Sequence, residues 1–456
     1  MTRRIVVVGA GMAAARLADG LRGHDVTMLG DEAHPPYNRI LLSAVLEGTH
    51  DAASLALRLA DHVDLRLDAR VVELHREERE VELADRSRLP YDALVLATGS
   101  IPTLPPIRGM VRVDGRLDDR VHAFRTLDDC RRLEASLPGA RRAVVVGGGL
   151  LGLQVARALG VRGLETEVVE GGEHLLRSQV DAKAGAILAR DLTRLGTTVY
   201  TGARATRLTD AGLVLDNGYV LDTDLVVLTA GGRPSTALAR RAGLEVRRGI
   251  VVDDTLTTSD PRIHAIGDCA QHGGRVTGFV PPAWEQAGVL ARILAGEPAT
   301  YDGSRSVARL RATGLDVAVL GDPLEAQGEV VEVSNPVVGS HRRLVVRDGV
   351  VVAATLVGDL SRVGLITQHF DRRTVLGPAE PGALLMPDRP PLPHVLAADA
   401  EICACAGVSA TEIRRCTSLA EVRETTRATT GCGGCADTVR QLLAQRTTPT
   451  LEGTVA

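Results

Sequence analysis

Two short runs of β-branched residues, each followed by a glycine-rich turn and an apolar helical pattern, dominate the hydrophobic pattern of this chain. The segment RRIVVVGAGMAAARLADGL occupies residues 3–21, and RRAVVVGGGLLGLQVARAL occupies residues 141–159. Continuous apolar runs of this kind are typical of parallel strands that are buried on both faces. The repeat predicts a strand–turn–helix unit that is used twice, and therefore an α/β fold with parallel sheets.

Further apolar runs place strands between and after the two units. Residues 91–99 (YDALVLATG) and 222–231 (DTDLVVLTAG) each predict a buried strand that ends in a turn. Residues 263–266 predict another strand, with Gly267 and Asp268 at its tip, and a helix is expected from about 282 to 295.

The pattern changes in the last third of the chain. From about residue 309 strands alternate, at 316–320, 343–346 and 350–356, which predicts a small α+β domain. Residues 378–393 hold six of the 21 prolines, which predicts a stiff, extended linker. A last unit, about 398–446, is predicted to hold two short amphipathic helices.

Composition and charge describe an ordinary globular chain. The 456 residues are 45% hydrophobic and 24% charged, and the net charge of −4 gives no reason to expect nucleic acid or an anionic membrane as a partner. The N-terminus imitates a signal peptide, but the same pattern recurs at 141–159, and no other stretch has 18 uninterrupted apolar residues. The seven cysteines are clustered rather than spread as a disulfide framework. We therefore expect a cytoplasmic protein with no membrane span.

The first glycine turn has the pattern of a dinucleotide site. Gly9 permits the tight turn, Gly11 lets the backbone approach a pyrophosphate, and the small Ala14 lets the helix pack on the strand. Asp31 lies 20 positions after Gly11, where an acid accepts hydrogen bonds from a ribose.

The second turn has the complete fingerprint of Gly147, Gly149 and Gly152, with Glu170 another 21 positions beyond Gly149. An acid at this position favours a free 2′-hydroxyl and repels a 2′-phosphate. No arginine occurs in the six residues after Glu170. The sequence therefore favours NADH over NADPH.

Four of the seven cysteines form a C-x-C and a C-x-x-C pair near the end of the chain, at Cys403, Cys405, Cys432 and Cys435. Four thiolates in such pairs bind either an iron–sulfur cluster or a zinc ion. Cys416 breaks the pairing and is predicted to lie on a helix face. Cys130 and Cys269 are predicted to be isolated structural thiols.

Together these motifs resemble the two-dinucleotide flavoprotein reductases over about residues 1–305. The resemblance rests on the nested fingerprints, on ATG at 97–99 paired with GGRP at 231–234, and on Gly267-Asp268. It implies FAD at the first site and NAD(P)H at the second. The chain has no cysteine before Cys130, which excludes the C-x4-C dithiol that disulfide reductases of this superfamily carry.

The segment PYNRILLS at 36–43 narrows the resemblance. It is similar to the FAD part of NAD(P)H-dependent nitrite reductase large subunits and of nitrate reductase electron-transfer subunits. Ala44 stands where ferredoxin reductases often have a lysine. The last unit resembles the [2Fe-2S] domain of bacterioferritin-associated ferredoxins, which implies that the four cysteines hold such a cluster. Gly433 and Gly434 allow amides to approach its sulfurs.

The resemblance implies two sets of cofactor contacts and no certain catalytic residue. The FAD contacts are Gly9, Gly11, Met12, Ala13, Ala14, Asp31, Arg39, Ser43, Val71, Ala97, Thr98, Gly99, Asp268 and Trp284. The NAD contacts are Gly147, Gly149, Leu150, Leu151, Gly152, Glu170, Gly231 and Gly232.

The same resemblance gives a domain plan with two nested Rossmann-like domains. The plan is an FAD-binding domain at 1–110 and 236–305, an NAD(P)H-binding domain at 111–235, a small α+β domain at 306–375, a Pro-rich linker at 376–397, a small helical [2Fe-2S] domain at 398–446 and a tail at 447–456.

The function implied is transfer of electrons from NADH through FAD and the cluster to a nitrate or nitrite reductase catalytic subunit. Three alternatives stay open. They are an NADH:ferredoxin or rubredoxin reductase, a cluster-based redox-sensing module that does not turn over, and a flavin dehydrogenase or oxidase of amines or opines.

Overall fold

The computed structural model describes residues 2–386 and 396–444. The chain divides into two compact units, residues 1–387 and 388–456. The described strands are, in chain order, β1 (Arg4–Val8), β2 (Asp25–Leu29), β3 (Val63–Arg66), β4 (Val71–His75), β5 (Glu80–Leu83), β6 (Arg88–Pro90), β7 (Ala93–Leu96), β8 (Ser100–Pro102), β9 (Val121–Ala123), β10 (Arg142–Val146), β11 (Glu165–Glu170), β12 (Thr197–Thr201), β13 (Ala205–Thr209), β14 (Gly212–Leu215), β15 (Val220–Leu221), β16 (Leu225–Leu228), β17 (Gly232–Pro234), β18 (Ile250–Val252), β19 (Ile263–Ala265), β20 (Ala270–His272), β21 (Val307–Ala312), β22 (Leu315–Leu320), β23 (Glu329–Asn335), β24 (Ser340–Arg347), β25 (Val350–Val357), β26 (Glu401–Cys403) and β27 (Val408–Ser409).

Within residues 2–386 and 396–444, three short 3₁₀ turns lie at Arg39–Leu41, Ala52–Leu55 and Gly267–Cys269, and the other helices are α-helical. The α-helices of the described residues are α1 (Met12–Asp19), α2 (Leu42–Glu47), α3 (Leu127–Ser136), α4 (Leu150–Val161), α5 (Ala182–Arg194), α6 (Ala237–Arg241), α7 (Val280–Leu294), α8 (Val363–Arg372), α9 (Glu380–Leu385), α10 (Ala410–Arg415), α11 (Leu419–Thr426) and α12 (Ala436–Ala444). No helix within the described residues is both long and apolar enough to cross a bilayer.

Two parallel five-stranded sheets confirm the predicted repeat. Their orders are β19-β7-β1-β2-β3 and β12-β11-β10-β16-β9. In each, the strand before the glycine turn lies at the centre and is buried from its second residue onward. Such strands need apolar side chains on both faces, which explains the IVVV and AVVV runs.

Each sheet completes its edge with a strand from outside its own repeat. The first sheet takes β19, which follows the whole second strand–turn–helix repeat in sequence, and the second sheet takes β9, which precedes that repeat. Both additions are parallel. The second repeat is therefore inserted within the fold of the first, as the nested fold class predicts.

The register brings the carboxyl ends of the central strands to one edge of each sheet. Val8 pairs with both Leu29 and Leu96 in the first sheet, and Val146 pairs with Val169 and Leu228 in the second. Ligands of open parallel sheets bind at this edge. The turns that follow these strands are the segments in which dinucleotide contacts were predicted.

A five-stranded antiparallel sheet, ordered β21-β22-β25-β24-β23, follows residue 306. One face packs against α8 and α9, with Phe370 and Leu385 fully buried. The opposite face packs against α4 and α5 through residues such as Leu310 and Val317. This confirms the small α+β arrangement.

The predicted extended linker is wrong at its start. Residues 380–385 form helix α9, with Pro381 in the first helical turn, where its missing N–H and fixed φ are tolerated. Leu384 and Leu385 are buried, and Arg342 donates to the Leu385 carbonyl at 2.6 Å, which holds the helix on the sheet. Residues 387–395 of the predicted linker lie outside the described residues.

The second unit has its own small core. A short hairpin of β26 and β27 is followed by α10, α11 and α12, so the described part holds three helices where two were predicted. Ser409 and Ser418 supply N-caps by accepting from the backbone three residues on, which explains why two separate helices form within 410–426. Their apolar faces bury Ile413, Val422 and Val439.

Candidate dinucleotide sites and cysteine cluster

The first glycine turn is shaped by the strand beside it. Gly9 has φ +110°, and a Cβ there would collide with the Ala97 carbonyl, so only glycine allows β1 to turn this close to β7. Gly11 is the N-cap of α1, and nothing lies within 4 Å of a Cβ built on it. Its smallness is therefore not needed for packing. Open space at a helix N-terminus fits a diphosphate.

The residues that follow Gly11 connect α1 to the returning part of the FAD half. The Met12 carbonyl accepts a hydrogen bond from Trp284 Nε1 at 3.2 Å. Ala14 is fully buried, and the Ala13 side chain lies against Gly267. Residues from distant parts of the sequence therefore meet at this turn, since 272 positions separate Met12 from Trp284.

Asp268 lies in an ion-pair network at the carboxyl end of β19. Its Oδ2 atom accepts from Ser100 Oγ at 2.8 Å and from Arg125 Nη2 at 2.8 Å. The Arg125 and Asp268 side chains are each about three-quarters buried. Neither Ser100 nor Arg125 was predicted as a site residue. Ser100 is the first residue of β8 and Arg125 lies two residues before α3, so no local motif links either residue to Asp268.

Arg39 is held by Glu32, which is the residue after the predicted acid Asp31, and not by Asp31 itself. It donates to Glu32 Oε1 at 2.7 Å and lies over the Tyr37 ring at 5.1 Å. Tyr37 in turn donates to Glu32 Oε2 at 2.6 Å, and burial together with that carboxylate raises the Tyr37 pKa. Asp31 is exposed, with Arg70 Nε at 3.9 Å.

Three further predicted FAD contacts lie in different segments of the first unit. Ser43 is buried in the first turn of α2, and Val71 is half-buried at the start of β4. Thr98 Oγ1 donates to the Ser235 carbonyl at 2.7 Å, and Ser235 N–H donates to the Gly99 carbonyl at 2.9 Å.

The hydrogen bonds of Ser235 with Thr98 and Gly99 join the segment after β17 to the turn after β7. Strands β8 and β17 pair, with Gly232 opposite Pro102, and Thr103 N–H donates to the Gly231 carbonyl at 2.9 Å. The turn after β7 and the turn after β16 therefore lie side by side. Gly231 and Gly232, which were predicted to contact NAD, therefore lie next to the segment that was predicted to contact FAD.

The second glycine turn repeats the first, with one added constraint. Gly147 has φ +120° and lies against the Thr229 carbonyl, while Gly149 caps α4 with nothing within 4 Å of its Cβ position. A Cβ on Gly152 would collide with the Gly147 carbonyl and approach Thr229 Oγ1 to 2.8 Å. Leu150 and Leu151, in the first turn of α4, pack against the core.

Glu170 points back into the glycine turn. Its Oε2 accepts from Gly148 N–H at 2.8 Å, and its Oε1 accepts from Gly172 N–H at 2.6 Å. Arg177, seven residues on, lies 3.4 Å from Oε1, and the Arg204 side chain passes beside Gly171. Arg177 is the seventh residue after Glu170, just beyond the six that were considered from the sequence, and the loop brings its side chain next to the Glu170 carboxylate.

The isolated thiols are unsuited to redox chemistry. Cys130 and Cys269 are both fully buried and free. Burial raises the pKa of Cys130 to about 12 and also raises the pKa of Cys269. A thiol held protonated is a poor nucleophile. This agrees with their prediction as structural residues.

The four cysteines of the second unit converge. Cys405 and Cys432 have sulfurs 3.0 Å apart, and hydrogen bonds from Cys405 and Cys435 lower the pKa of Cys403. The Gly434 N–H donates to Cys432 Sγ at 3.4 Å. Cys416 is buried at the end of α10, with Thr425 Oγ1 at 3.4 Å from its sulfur.

The grouped thiols supply four sulfur ligands, which either a zinc ion or a two-iron cluster accepts. Contacts run in sequence from Cys432 to Cys405 to Cys403 to Cys435. The donor set therefore fits a [2Fe-2S] cluster.

Comparisons with known proteins agree with both sites. Residues 3–287 match the family model described as pyridine nucleotide-disulphide oxidoreductase, and residues 401–445 match the BFD-like [2Fe-2S] binding domain. Among solved structures, a putidaredoxin reductase–putidaredoxin complex is 26% identical with a TM-score of 0.76, covering 83% of this chain and 95% of that one. A ferredoxin reductase from Rhodopseudomonas palustris is 28% identical with a TM-score of 0.74, covering 82% and 96%.

Two similar proteins of Bacillus subtilis cover almost all of this chain. Nitrite reductase [NAD(P)H] is 33% identical over 97% of this chain and 57% of its own length. The assimilatory nitrate reductase electron transfer subunit is 31% identical over 98% of this chain and 60% of its own length. The chain thus spans little more than half of these relatives. With its two fingerprints and four thiols, it belongs to the pyridine nucleotide-disulphide oxidoreductase family as an FAD-dependent NAD(P)H oxidoreductase with a BFD-like [2Fe-2S] domain.

Proposed function

We propose that this protein takes electrons from NADH and delivers them, through FAD and the [2Fe-2S] cluster, to a nitrate or nitrite reductase catalytic subunit in the cytoplasm. When bound, FAD accepts a hydride from a nicotinamide, and the cluster carries single electrons to another protein. The sequence-predicted contacts and domain boundaries given above are part of this proposal.

The observation that carries the proposal is the pairing of β8 with β17. It places the strand-end turns of the two dinucleotide halves in direct contact within one compact unit. Orientation of two reactants is the main contribution that a protein makes to hydride transfer. The chain needs no acid or base for this step, because a hydride carries its own electron pair.

Charged residues around the first turn have supporting roles in this proposal. Arg39 is held by Glu32, and Arg125 is held by Asp268, whose neighbour Gly267 lies against Ala13 of the first turn. We infer that they orient the flavin and its phosphates. Their positive charges would also replace the charge of the lysine that ferredoxin reductases often have at the position of Ala44.

The exit of electrons through the cysteines is supported by elimination among the described thiols. Cys130 and Cys269 are buried and protonated, so no dithiol accompanies the first dinucleotide turn. Of the five thiols of the second unit, Cys416 is buried at the end of α10 and the other four are grouped, with Cys432 exposed. A cluster with an exposed ligand suits transfer to a partner protein.

The name of one relative supports the acceptor. That relative is an electron transfer subunit of assimilatory nitrate reductase. A small carrier protein is the second candidate acceptor, because a relative named nitric oxide reductase FlRd-NAD(+) reductase is 30% identical and matches over 99% of its length.

The test is an anaerobic titration of the holoprotein with NADH, followed by optical and EPR spectra. We expect flavin bleaching first and then the rhombic signal of a reduced [2Fe-2S] cluster. The reduced protein is next mixed with a nitrate reductase catalytic subunit, nitrite reductase, ferredoxin and rubredoxin in turn. Absence of bleaching would eliminate the reductase function and leave the redox-sensing alternative.

The relay order is tested with Cys432→Ala and the matched Cys416→Ala. Cys432→Ala should keep flavin bleaching and lose reduction of the protein acceptor, whereas Cys416→Ala should keep both. Acceptor turnover that survives Cys432→Ala would show that electrons leave by another route.

A further inference from the structure

Three metal-ligating side chains from different elements meet where α5 packs on the antiparallel sheet. Asp181 is the N-cap of α5, Glu332 lies in β23, and His341 lies in the neighbouring β24. One ligand atom of each lies within 4.8 Å of the other two. None of these residues belongs to the dinucleotide sites or to the cysteine cluster.

His341 is the unusual member of this set. Its residue exposure is 0%, and neither ring nitrogen has a hydrogen-bond partner among the described residues. The nearest charged atom is Asp181 Oδ2, 3.5 Å from Nε2. A buried polar group without a partner is costly, and in native proteins it usually marks an ion or a water that completes the site. The imidazole nitrogens therefore face positions at which no described group donates to or accepts from them.

Each carboxylate keeps an oxygen for that position. Asp181 uses Oδ1 to cap the helix, accepting from Ala184 N–H at 2.9 Å, and turns Oδ2 toward His341, with Arg343 Nε at 3.9 Å. Glu332 Oε1 accepts from Lys183 Nζ at 2.7 Å. The two carboxylate side chains are 25% and 23% exposed, so the position is reached from solvent.

A cation already sits at the mouth of the cluster. Lys183, the one lysine of the chain, has a side chain that is 69% exposed and holds Glu332 only through its terminal ammonium. Exposed ion pairs of this kind contribute little to stability. A divalent ion would therefore displace the ammonium readily, and its two charges would balance the two carboxylates.

We propose that Asp181, Glu332 and His341 form a binding site for a first-row divalent cation, with Zn²⁺ as the best match. One imidazole nitrogen and two carboxylate oxygens, with a fourth position open to water, are donors that zinc takes, whereas Mg²⁺ and Ca²⁺ prefer oxygen alone. The ion would clamp the N-terminus of α5 to the β23–β24 hairpin.

The chain offers an internal control for this proposal. Glu73, His75 and Glu82 also have ligand atoms within 4.8 Å of one another. There the buried Glu82 is already paired, with His75 Nε2 at 3.1 Å and with Arg86 and Arg88 at 3.0 and 3.2 Å. Its oxygens are occupied, and its histidine is partnered. We expect no metal ion at this second cluster.

The test is calorimetric titration of Zn²⁺ into the full-length holoprotein, whose cysteines are occupied by the iron–sulfur cluster. We expect one Zn²⁺ per chain in the wild type. Asp181→Asn and Glu332→Gln should each weaken its affinity by about tenfold or more. Glu73→Gln should bind as the wild type does. These carboxylates are partly exposed, so the variants are expected to fold, which a substitution of the buried His341 would not guarantee.

Lys183→Met separates a metal site from a simple ion-pair latch. At a metal site the lysine competes with the ion, so removal of the lysine leaves the Zn²⁺ affinity unchanged or higher. Zn²⁺ should then raise the thermal unfolding midpoint of Lys183→Met but not that of Asp181→Asn. Failure of the wild type to bind Zn²⁺ would overturn the proposal. Equal binding by the wild type, Asp181→Asn and Glu332→Gln would overturn it as well.

Discussion

At the scale of single residues, the second dinucleotide turn is governed by the contact between Glu170 and Arg177. The carboxylate is held by two backbone amides and stands where the adenosine ribose of NADH is expected. The guanidinium beside it is itself a group that binds a 2′-phosphate. We therefore expect the acid to have two effects: it would accept from the ribose of a bound NADH, and it neutralises the nearest cation.

Glu170→Ala should change the cofactor preference. We expect the KM for NADH to rise and the ratio of kcat/KM for NADPH to that for NADH to increase by about tenfold or more, since repulsion of the phosphate is lost and Arg177 is released. Steady-state kinetics with both cofactors measure this. The double variant Glu170→Ala/Arg177→Gln should lose the gain with NADPH. An unchanged ratio in the single variant would show that the acid does not set the preference.

Residue-scale prediction from sequence succeeded where a motif is local and failed where the fold brings distant residues together. The glycines and Glu170 follow strands at fixed spacing, so the sequence alone placed them. Ser100 and Arg125 reach Asp268 from 168 and 143 positions away. His341 joins Asp181 across 160 positions. No spacing rule covers such pairs, because they depend on how two halves and a third sheet pack.

At the scale of elements, the glycine turn into α4 contains glycines that are needed for different reasons. Gly149 has ordinary φ and open space at its Cβ position, while Gly152 has a carbonyl where a Cβ would go. Gly149 leaves open space that a diphosphate would fit, and Gly152 lets the helix approach the glycine turn.

Substitution by alanine should separate these two roles. Gly149→Ala should leave the thermal unfolding midpoint without NADH nearly unchanged and raise the KM for NADH on the order of tenfold, because the methyl group fills the pyrophosphate approach. Gly152→Ala should lower the free energy of unfolding by about 2 kcal/mol through overpacking. Calorimetry and NADH kinetics on both variants check this. A destabilised Gly149→Ala would mean that the space at the turn is filled by the protein itself.

Strand β19, which joins the first sheet from beyond the insertion, carries a histidine that should make stability depend on pH. Burial lowers the pKa of His264 to about 4, and its Nδ1 lies 3.1 Å from Thr257 Oγ1. In the unfolded chain the imidazole takes up its proton near pH 6.5. Between these values the unfolded state binds more protons, so the stability present above pH 6.5 is lost as pH falls toward 4.

The loss attributable to His264 should reach about 3 kcal/mol at most. Urea unfolding at several pH values between 7 and 4 measures it, with His264→Gln as the comparison. The variant should be less stable at pH 7 but lose less stability on acidification. Parallel pH profiles for the two proteins would contradict the assignment to this residue.

Element prediction also shows where composition misleads. Six prolines between 378 and 393 suggested an extended linker, yet α9 forms at 380–385 because its single proline lies in the first turn and its leucines find the sheet. Proline counts describe the tendency of a segment in isolation. Burial of an apolar face against a neighbouring sheet overrides that tendency, and this neighbour is invisible in the local sequence.

At the scale of the whole molecule, the repeated fingerprint predicted two parallel sheets, and the resemblance to the flavoprotein reductases implied that one is nested within the other. The strand orders confirm both expectations. The sequence also predicted that the C-terminal thiols form a separate site. What it left open was whether those thiols hold zinc or iron, since both metals accept four cysteines.

Electron counting distinguishes the two metals in the intact protein. Zinc has no redox chemistry, so a zinc-loaded chain with FAD should take up about two electrons, whereas FAD together with a [2Fe-2S] cluster should take up about three. Anaerobic titration with dithionite, followed at flavin and cluster wavelengths, gives this number directly. We expect about three for the wild type and for Cys416→Ser, whose thiol is buried beside Thr425.

Cys432→Ser removes the exposed ligand of the group and should reduce the count to about two, because the cluster is no longer held by four thiolates. Flavin reduction by NADH should continue at an unchanged rate, since Cys432 lies in the second unit and the paired turns of β8 and β17 lie in the first. Uptake of only two electrons by the wild type would indicate zinc at the four cysteines and would contradict the proposal that electrons leave through them. A count of three in Cys432→Ser would mean that the cluster is held without this cysteine.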